Sequence, residues 1–185
     1  MDYFELLGLP RQPVVDLKQL QANYYDRTRL HHPDRHASDG HAVRESATLA
    51  TAALNQGYRT LREPLARARY WLEREGEALR DNENRVPAAL TALYFETQEI
   101  IEENQGPPVA PDPLQSQRAT LTAKRAELMT ALEANFAKWS ATSSPRATLR
   151  TELREIVLQL SYLDKLIADV ERALARRRAE PEVGV

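Results

Sequence analysis

The feature that most restricts this chain is a run of aliphatic residues near its C-terminus. Leu149, Leu153, Ile156, Leu160, Leu163, Ile167, Val170 and Leu174 recur at alternating steps of four and three. On a continuous helix that spacing makes one apolar stripe, which needs an apolar partner along its whole length. Leu121, Leu128, Leu132, Phe136 and Trp139 form a matching stripe upstream. Breaks at Gly106-Pro107-Pro108 and Ser143-Ser144-Pro145 separate three long segments, so helices are expected over about 87 to 104, 114 to 139 and 146 to 178. Short connections would fold them into an antiparallel three-helix bundle. A coiled-coil dimer would use the same seam, but two further amphipathic helices in the chain supply the apolar surface without one.

The N-terminal part reads as shorter helices. Asp2 can cap a first helix from Tyr3 to Leu7, which Gly8 followed by Leu9-Pro10 stops. A second begins after Asp16, with Leu17, Leu20 and Tyr24 on one stripe, and ends by His32 because Pro33 disfavours helical geometry in the residue before it. Asp34 to Gly40 reads as a polar loop. A third helix, about 42 to 61, turns Ala47, Ala50, Leu54, Gly57 or Tyr58, and Leu61 inward. Pro64 suits the first turn of a fourth, with Leu65, Ala68, Trp71 and Leu72 facing in. The polar stretch Glu73 to Asn84 marks a boundary. The expected organisation is all-α: a domain over 1–75, a linker over 76–86, the bundle over 87–178 and a flexible tail over 179–185.

Composition closes off several classes of function. The 185 residues hold 25 Lys plus Arg against 27 Asp plus Glu, a net charge of −2, which gives no strong positive field for nucleic acid. There is no Cys, and so no disulfide, thiolate nucleophile or cysteine-ligated metal. No stretch approaches the ~20 apolar residues that span a bilayer, and the acidic start MDYFELLGLP is unlike a signal peptide. A soluble cytoplasmic protein without membrane or nucleic-acid partners is expected. No GxxxxGK loop is present to cradle phosphates, so the chain is not expected to hydrolyse ATP. His31, His32, His36 and His41 fall close together, yet Pro33 interrupts any helical spacing and no carboxylate is well placed, so no metal and no other cofactor is expected. Asp34 could orient His32 as a base, but no nucleophile or oxyanion donor accompanies them, and no enzyme activity is expected.

His32-Pro33-Asp34 falls between two of the expected helices, and its proline limits the freedom of the turn. The preceding helix ends Arg27-Thr28-Arg29-Leu30-His31, the loop continues Arg35-His36, and the next helix closes on Leu54-Asn55-Gln56-Gly57-Tyr58-Arg59-Thr60-Leu61-Arg62-Glu63-Pro64. With the opening Asp2-Tyr3-Phe4-Glu5-Leu6-Leu7-Gly8-Leu9, these segments resemble a J domain across residues 1 to about 75. The opening, the segment AALNQGYRTLREPLARARYWL and the bundle motif Tyr162-Leu163-Asp164-Lys165-Leu166 resemble the HscB family, J-type co-chaperones of iron–sulfur cluster biogenesis. Arg27 stands where that family usually has a buried leucine.

The resemblance implies a chain that is not itself an enzyme but activates a partner's ATPase. Its J domain would contact an HscA-type seventy-kilodalton heat-shock chaperone, and its bundle would deliver the iron–sulfur scaffold protein IscU. Asp34 would pair with a chaperone arginine, His32 and Pro33 would hold the loop, and Arg27, Arg29 and Arg35 would meet an acidic surface. A docking face follows from helical geometry. On the helix from 87 to 104, Leu90, Leu93, Thr97 and Ile101 share the inner side, leaving Ala92, Phe95, Glu96, Glu99 and Glu103 outward. Phe95 would anchor a partner and the acids would steer it. The resemblance adds Tyr162 to this scaffold contact. The same acids also fit a plain solvated face. A general J-domain protein with other clients and a structural helical scaffold are the alternative readings.

Overall fold

The computed structural model describes residues 2–31, 40–79, 85–107, 109–141 and 145–179. All regular structure among them is helical: α1 (Tyr3–Leu6), α2 (Leu17–Leu30), α3 (His41–Arg62), α4 (Pro64–Arg74), α5 (Thr91–Glu103), α6 (Pro113–Ser140) and α7 (Arg146–Ala179). Among the described residues no helix is long and apolar enough to cross a membrane. The chain divides into two compact units, residues 1–78 with 135–150 and residues 79–134 with 151–185. The ends of α6 and α7 around their connection thus group with the N-terminal residues.

In the first unit the caps act as their residue types suggest. Asp2 accepts from the Phe4 amide at 2.9 Å, and Asp16 from the Lys18 and Gln19 amides at 2.9 and 3.3 Å. Gly8, at φ 63°, ends α1 and lets the Leu9 amide reach back to the Phe4 carbonyl at 2.8 Å. At Gly57 on α3 an added β-carbon would stand 3.2 Å from Tyr3 Cδ1 and 3.3 Å from Leu7 Cδ1, so the missing side chain lets α1 lie a few tenths of an ångström closer to α3. Phe4, Leu7, Leu20, Leu54, Leu61, Ala68, Trp71 and Leu72 are buried, each large one worth about 1.5–3 kcal/mol. Leu17 is not among them. It is 51% exposed, because the inner side of α2 runs through Leu20, with Asn23, Tyr24, Arg27 and Thr28 half-buried, and Leu17 stands to one side of that line. Tyr70 and Arg67 are buried although neither was expected inside. The Tyr70 hydroxyl accepts from the Tyr3 amide at 2.9 Å, and burial raises the phenol's pKa above its ordinary value.

Residues 135–150 complete this unit. Phe136 and Leu149 are buried, and Trp139 meets Trp71 edge to face at 5.3 Å. The Arg67 guanidinium lies over the Phe136 ring at 5.2 Å. Asn135 donates to the Leu149 carbonyl at 3.3 Å and accepts from Trp139 Nε1 at 3.0 Å, which joins the two sides of the α6–α7 connection. Arg150 donates to the Glu75 carbonyl at 3.1 Å.

The second unit is the three-helix bundle. Leu90, Leu114, Leu121, Leu163, Leu166, Val170 and Leu174 form its core, with Leu93, Ile101, Leu128 and Ile167 packed partly buried against it. The seam on α7 differs in detail from the heptad expected: Val157 and Leu166 are buried, while Ile156 and Ile167 are half-buried. A helix that faces two neighbours buries a broader stripe than a two-stranded coiled coil does. A buried polar pair crosses the core, Gln117 Nε2 donating to Thr97 Oγ1 at 2.8 Å while Thr97 donates to the Leu93 carbonyl at 2.6 Å. The first bundle helix starts later than 87. A 3-10 turn over Ala88–Leu90 precedes it, and Leu90, at φ −111° and ψ 3°, separates the turn from α5.

Candidate functional site

Two helix ends frame the segment that carries the tripeptide. α2 stops at Leu30, and the His31 amide closes its last turn on the Arg27 carbonyl at 3.2 Å. From α3, Thr51 Oγ1 donates to the His31 carbonyl at 3.0 Å, so the chain enters position 32 from a fixed point. α3 begins after Gly40. His32, Pro33, Asp34 and Arg35 themselves lie outside the described residues. Arg29 is exposed on α2. Arg27 is half-buried, and its Nη1 donates to the Leu6 carbonyl at 2.8 Å, an internal use that the expectation of a partner contact did not include. The guanidinium is satisfied by one of the carbonyls left over at the end of α1.

The second site lies on α5 and α7. Ala92, Phe95, Glu96, Glu99 and Glu103 are all exposed, Phe95 at 63%, while Leu90 and Thr97 are buried and Leu93 and Ile101 half-buried behind them. α5 contains no Lys or Arg. Among the described residues Glu96, Glu99 and Glu103 form no ion pair or hydrogen bond through their side chains. Glu102 and Glu103 stand in the last turn, where the negative end of the helix dipole makes a carboxylate unfavourable, each by about 0.3–1 kcal/mol. The helix dipole therefore does not account for acids at positions 102 and 103.

Tyr162 is half-buried on α7, and its ring meets Tyr94 of α5 at 6.1 Å, edge to face. Burial raises the Tyr162 phenol above its ordinary pKa, with Tyr94 and Asp169 adding to the effect. Tyr94 in turn meets Phe95 at 5.2 Å, also edge to face. Helical geometry thus brings together Phe95 and the three carboxylates on α5, and Tyr94 joins that face to Tyr162. Sequence reasoning missed Tyr94. No local spacing signalled it, because its place on this face comes from contact with Tyr162 of a different helix. Among the described residues no group of three His, Asp or Glu side chains is placed to hold a metal ion, His32 and His36 being outside them.

Comparison with known proteins places the chain in context. No protein-family model matches it. It is 35% identical over 134 residues, 72% of this chain and 75% of the relative, to the co-chaperone protein HscB homolog of Chromobacterium violaceum. Among solved structures it is similar to the chaperone HscB from Vibrio cholerae, with TM-score 0.67 and 25% identity over 96% of this chain and 99% of that one. Human co-chaperone protein HscB shares the fold, with TM-score 0.69 at 21% identity over 93% of this chain and 81% of that one.

Proposed function

The chain belongs to the HscB co-chaperone family, and from that premise we propose that it couples an HscA-type chaperone to the iron–sulfur scaffold IscU, stimulating ATP hydrolysis by the first while presenting the second. The observation that carries this reading is the relationship to an HscB homologue through most of both chains, joined to a tripeptide His32-Pro33-Asp34 bracketed by helices α2 and α3.

In this reading residues 1–75 act as the J domain and the bundle over 87–178 as the scaffold-binding domain. Asp34 pairs with a chaperone arginine, His32 and Pro33 hold the turn, and Arg29 and Arg35 steer the approach, with whatever of the Arg27 guanidinium the Leu6 carbonyl leaves free. Ala92, Phe95, Glu96, Glu99, Glu103 and Tyr162 receive the scaffold. The chain performs no chemistry of its own. It acts by binding one conformational state of the chaperone better than another, which is all that shifting an equilibrium requires. It works in the cytoplasm, without a cofactor.

The test is steady-state ATP hydrolysis by the chaperone with this protein, with the scaffold, and with both. Joint stimulation beyond either alone, lost in Asp34→Asn, is expected. If the wild-type protein does not stimulate, or Asp34→Asn stimulates equally, the reading is wrong.

A further inference from the structure

The proposed scaffold face has a feature that its exposed residues do not explain. Thr91 and Ala92 are small and Leu93 is half-buried, so the apolar area on the outer side of α5 is carried by rings. Phe95 projects with 63% of its surface exposed. A lone ring so placed would sample several rotamers, and a partner would have to fix it on binding, at a cost in side-chain entropy. Phe95 is not alone. Tyr94 is half-buried, its ring packed against the bundle core, and it makes an edge-to-face contact with Phe95 on one side and with Tyr162 on the other.

We propose that Tyr94 is a positioning residue for this face: it holds Phe95 and Tyr162 in one row of edge-to-face rings running from α5 to α7, so that a partner meets a preformed aromatic ridge. This rests on the scaffold-docking reading above. The ridge borders carboxylates that have no cation beside them on α5. It therefore fits a partner surface that offers an apolar patch rimmed by Lys or Arg. Tyr94 acts through its two neighbours and contributes ring geometry, not its hydroxyl, which makes no hydrogen bond among the described residues.

The experiment is a calorimetric titration of the full chain with purified IscU-type scaffold, run for wild type, Phe95→Ala, Tyr94→Phe, Tyr94→Leu and the double variant Tyr94→Leu/Phe95→Ala. Tyr94→Phe keeps the ring and is expected to bind as wild type. Tyr94→Leu is expected to weaken binding by roughly three- to tenfold, the worth of an edge-to-face pair. In the Phe95→Ala background the same change is expected to cost less, because the ring it positions is gone. A fluorine label on Phe95, read by nuclear magnetic resonance on the unbound protein, is expected to shift and narrow in Tyr94→Leu and not in Tyr94→Phe. Normal affinity and an unchanged fluorine signal in Tyr94→Leu would overturn the positioning role, as would an equal loss in both backgrounds. If Phe95→Ala binds as tightly as wild type, the docking face itself is wrong and the role of Tyr94 falls with it.

Discussion

The guanidinium of Arg27 fills the space in which a β-carbon on Gly8 would stand, the ideal position lying 2.6 Å from Nη2. The same side chain donates from Nη1 to the Leu6 carbonyl, so a cation on α2 closes over the end of α1 in space that a side chain on residue 8 would contest. Gly8 is also held at φ 63°, which an L residue adopts at a cost of about 1–2 kcal/mol. Gly8→Ala is expected to carry that backbone cost and to displace Arg27, losing about 1 kcal/mol more with the hydrogen bond. In Arg27→Leu the second part is already gone. Urea unfolding of the two single variants and the double should therefore show the double destabilised by less than the sum, and strict additivity would refute the coupling.

Phe136 tests how much of the first unit depends on residues far along the chain. It is 2% exposed, beneath the Arg67 guanidinium, in a segment otherwise flanked by bundle helices. Phe136→Ala is expected to cost about 3–5 kcal/mol. Both tryptophans of the chain, Trp71 and Trp139, lie in this unit and touch, so their fluorescence reports its unfolding directly. The change should lower the midpoint of the fluorescence transition strongly. A shift of less than about 1 kcal/mol would mean that residues 135–150 add little to the unit.

The sequence showed most of the helical architecture, and its misses share a cause. Apolar spacing places a helix and its inner side well, as at Ala47, Leu54 and Leu61 on α3. It is blind to what a polar side chain does once inside. Arg67, Gln117 and Asn135 are buried because each finds a specific partner, the Leu61 carbonyl and the Phe136 ring for the first, Thr97 and the Leu149 carbonyl for the others, and such pairings leave no apolar periodicity. Leu17 fails in the opposite sense, an apolar residue at a plausible step that the neighbouring helices do not cover. On the candidate scaffold face, helical spacing sufficed to put Phe95 and three carboxylates outward. Tyr94 was not legible as part of it, since its significance depends on Tyr162, sixty-eight positions later, arriving at its ring.

Asp112 gives the bundle a dependence on acid. It caps α6 through the Leu114 amide at 3.1 Å and pairs with Arg177 at 3.0 Å, where both side chains are largely covered. Burial alone would raise its pKa. The hydrogen bond from Arg177, the Leu114 amide, the charge of Arg177 and the Gln115 amide outweigh burial, and the carboxyl stays below its ordinary value. A carboxyl with a depressed folded-state pKa contributes stability that is present above its unfolded pKa and is lost as pH falls through the folded one. Asp112→Asn should therefore be less stable than wild type near neutral pH, and the difference should shrink as pH drops below the ordinary carboxylate range. A difference that is constant from neutral pH to about pH 3 would show that Asp112 titrates as in the unfolded chain.

Glu103 separates stability from binding. In the last turn of α5 its charge opposes the helix dipole, and among the described residues no cation compensates it. Glu103→Lys should raise the stability of the protein by a few tenths to about 1 kcal/mol. If the carboxylates of α5 steer a basic partner surface, the same change should weaken scaffold binding, mainly through slower association, and the penalty should fade at high salt. Opposite signs in the two measurements mean that the acid is kept for a partner rather than for the fold. A variant that is more stable and binds the scaffold equally well at low salt would reduce Glu103 to a solvated surface charge and confine the docking face to the rings and the acids nearer Phe95.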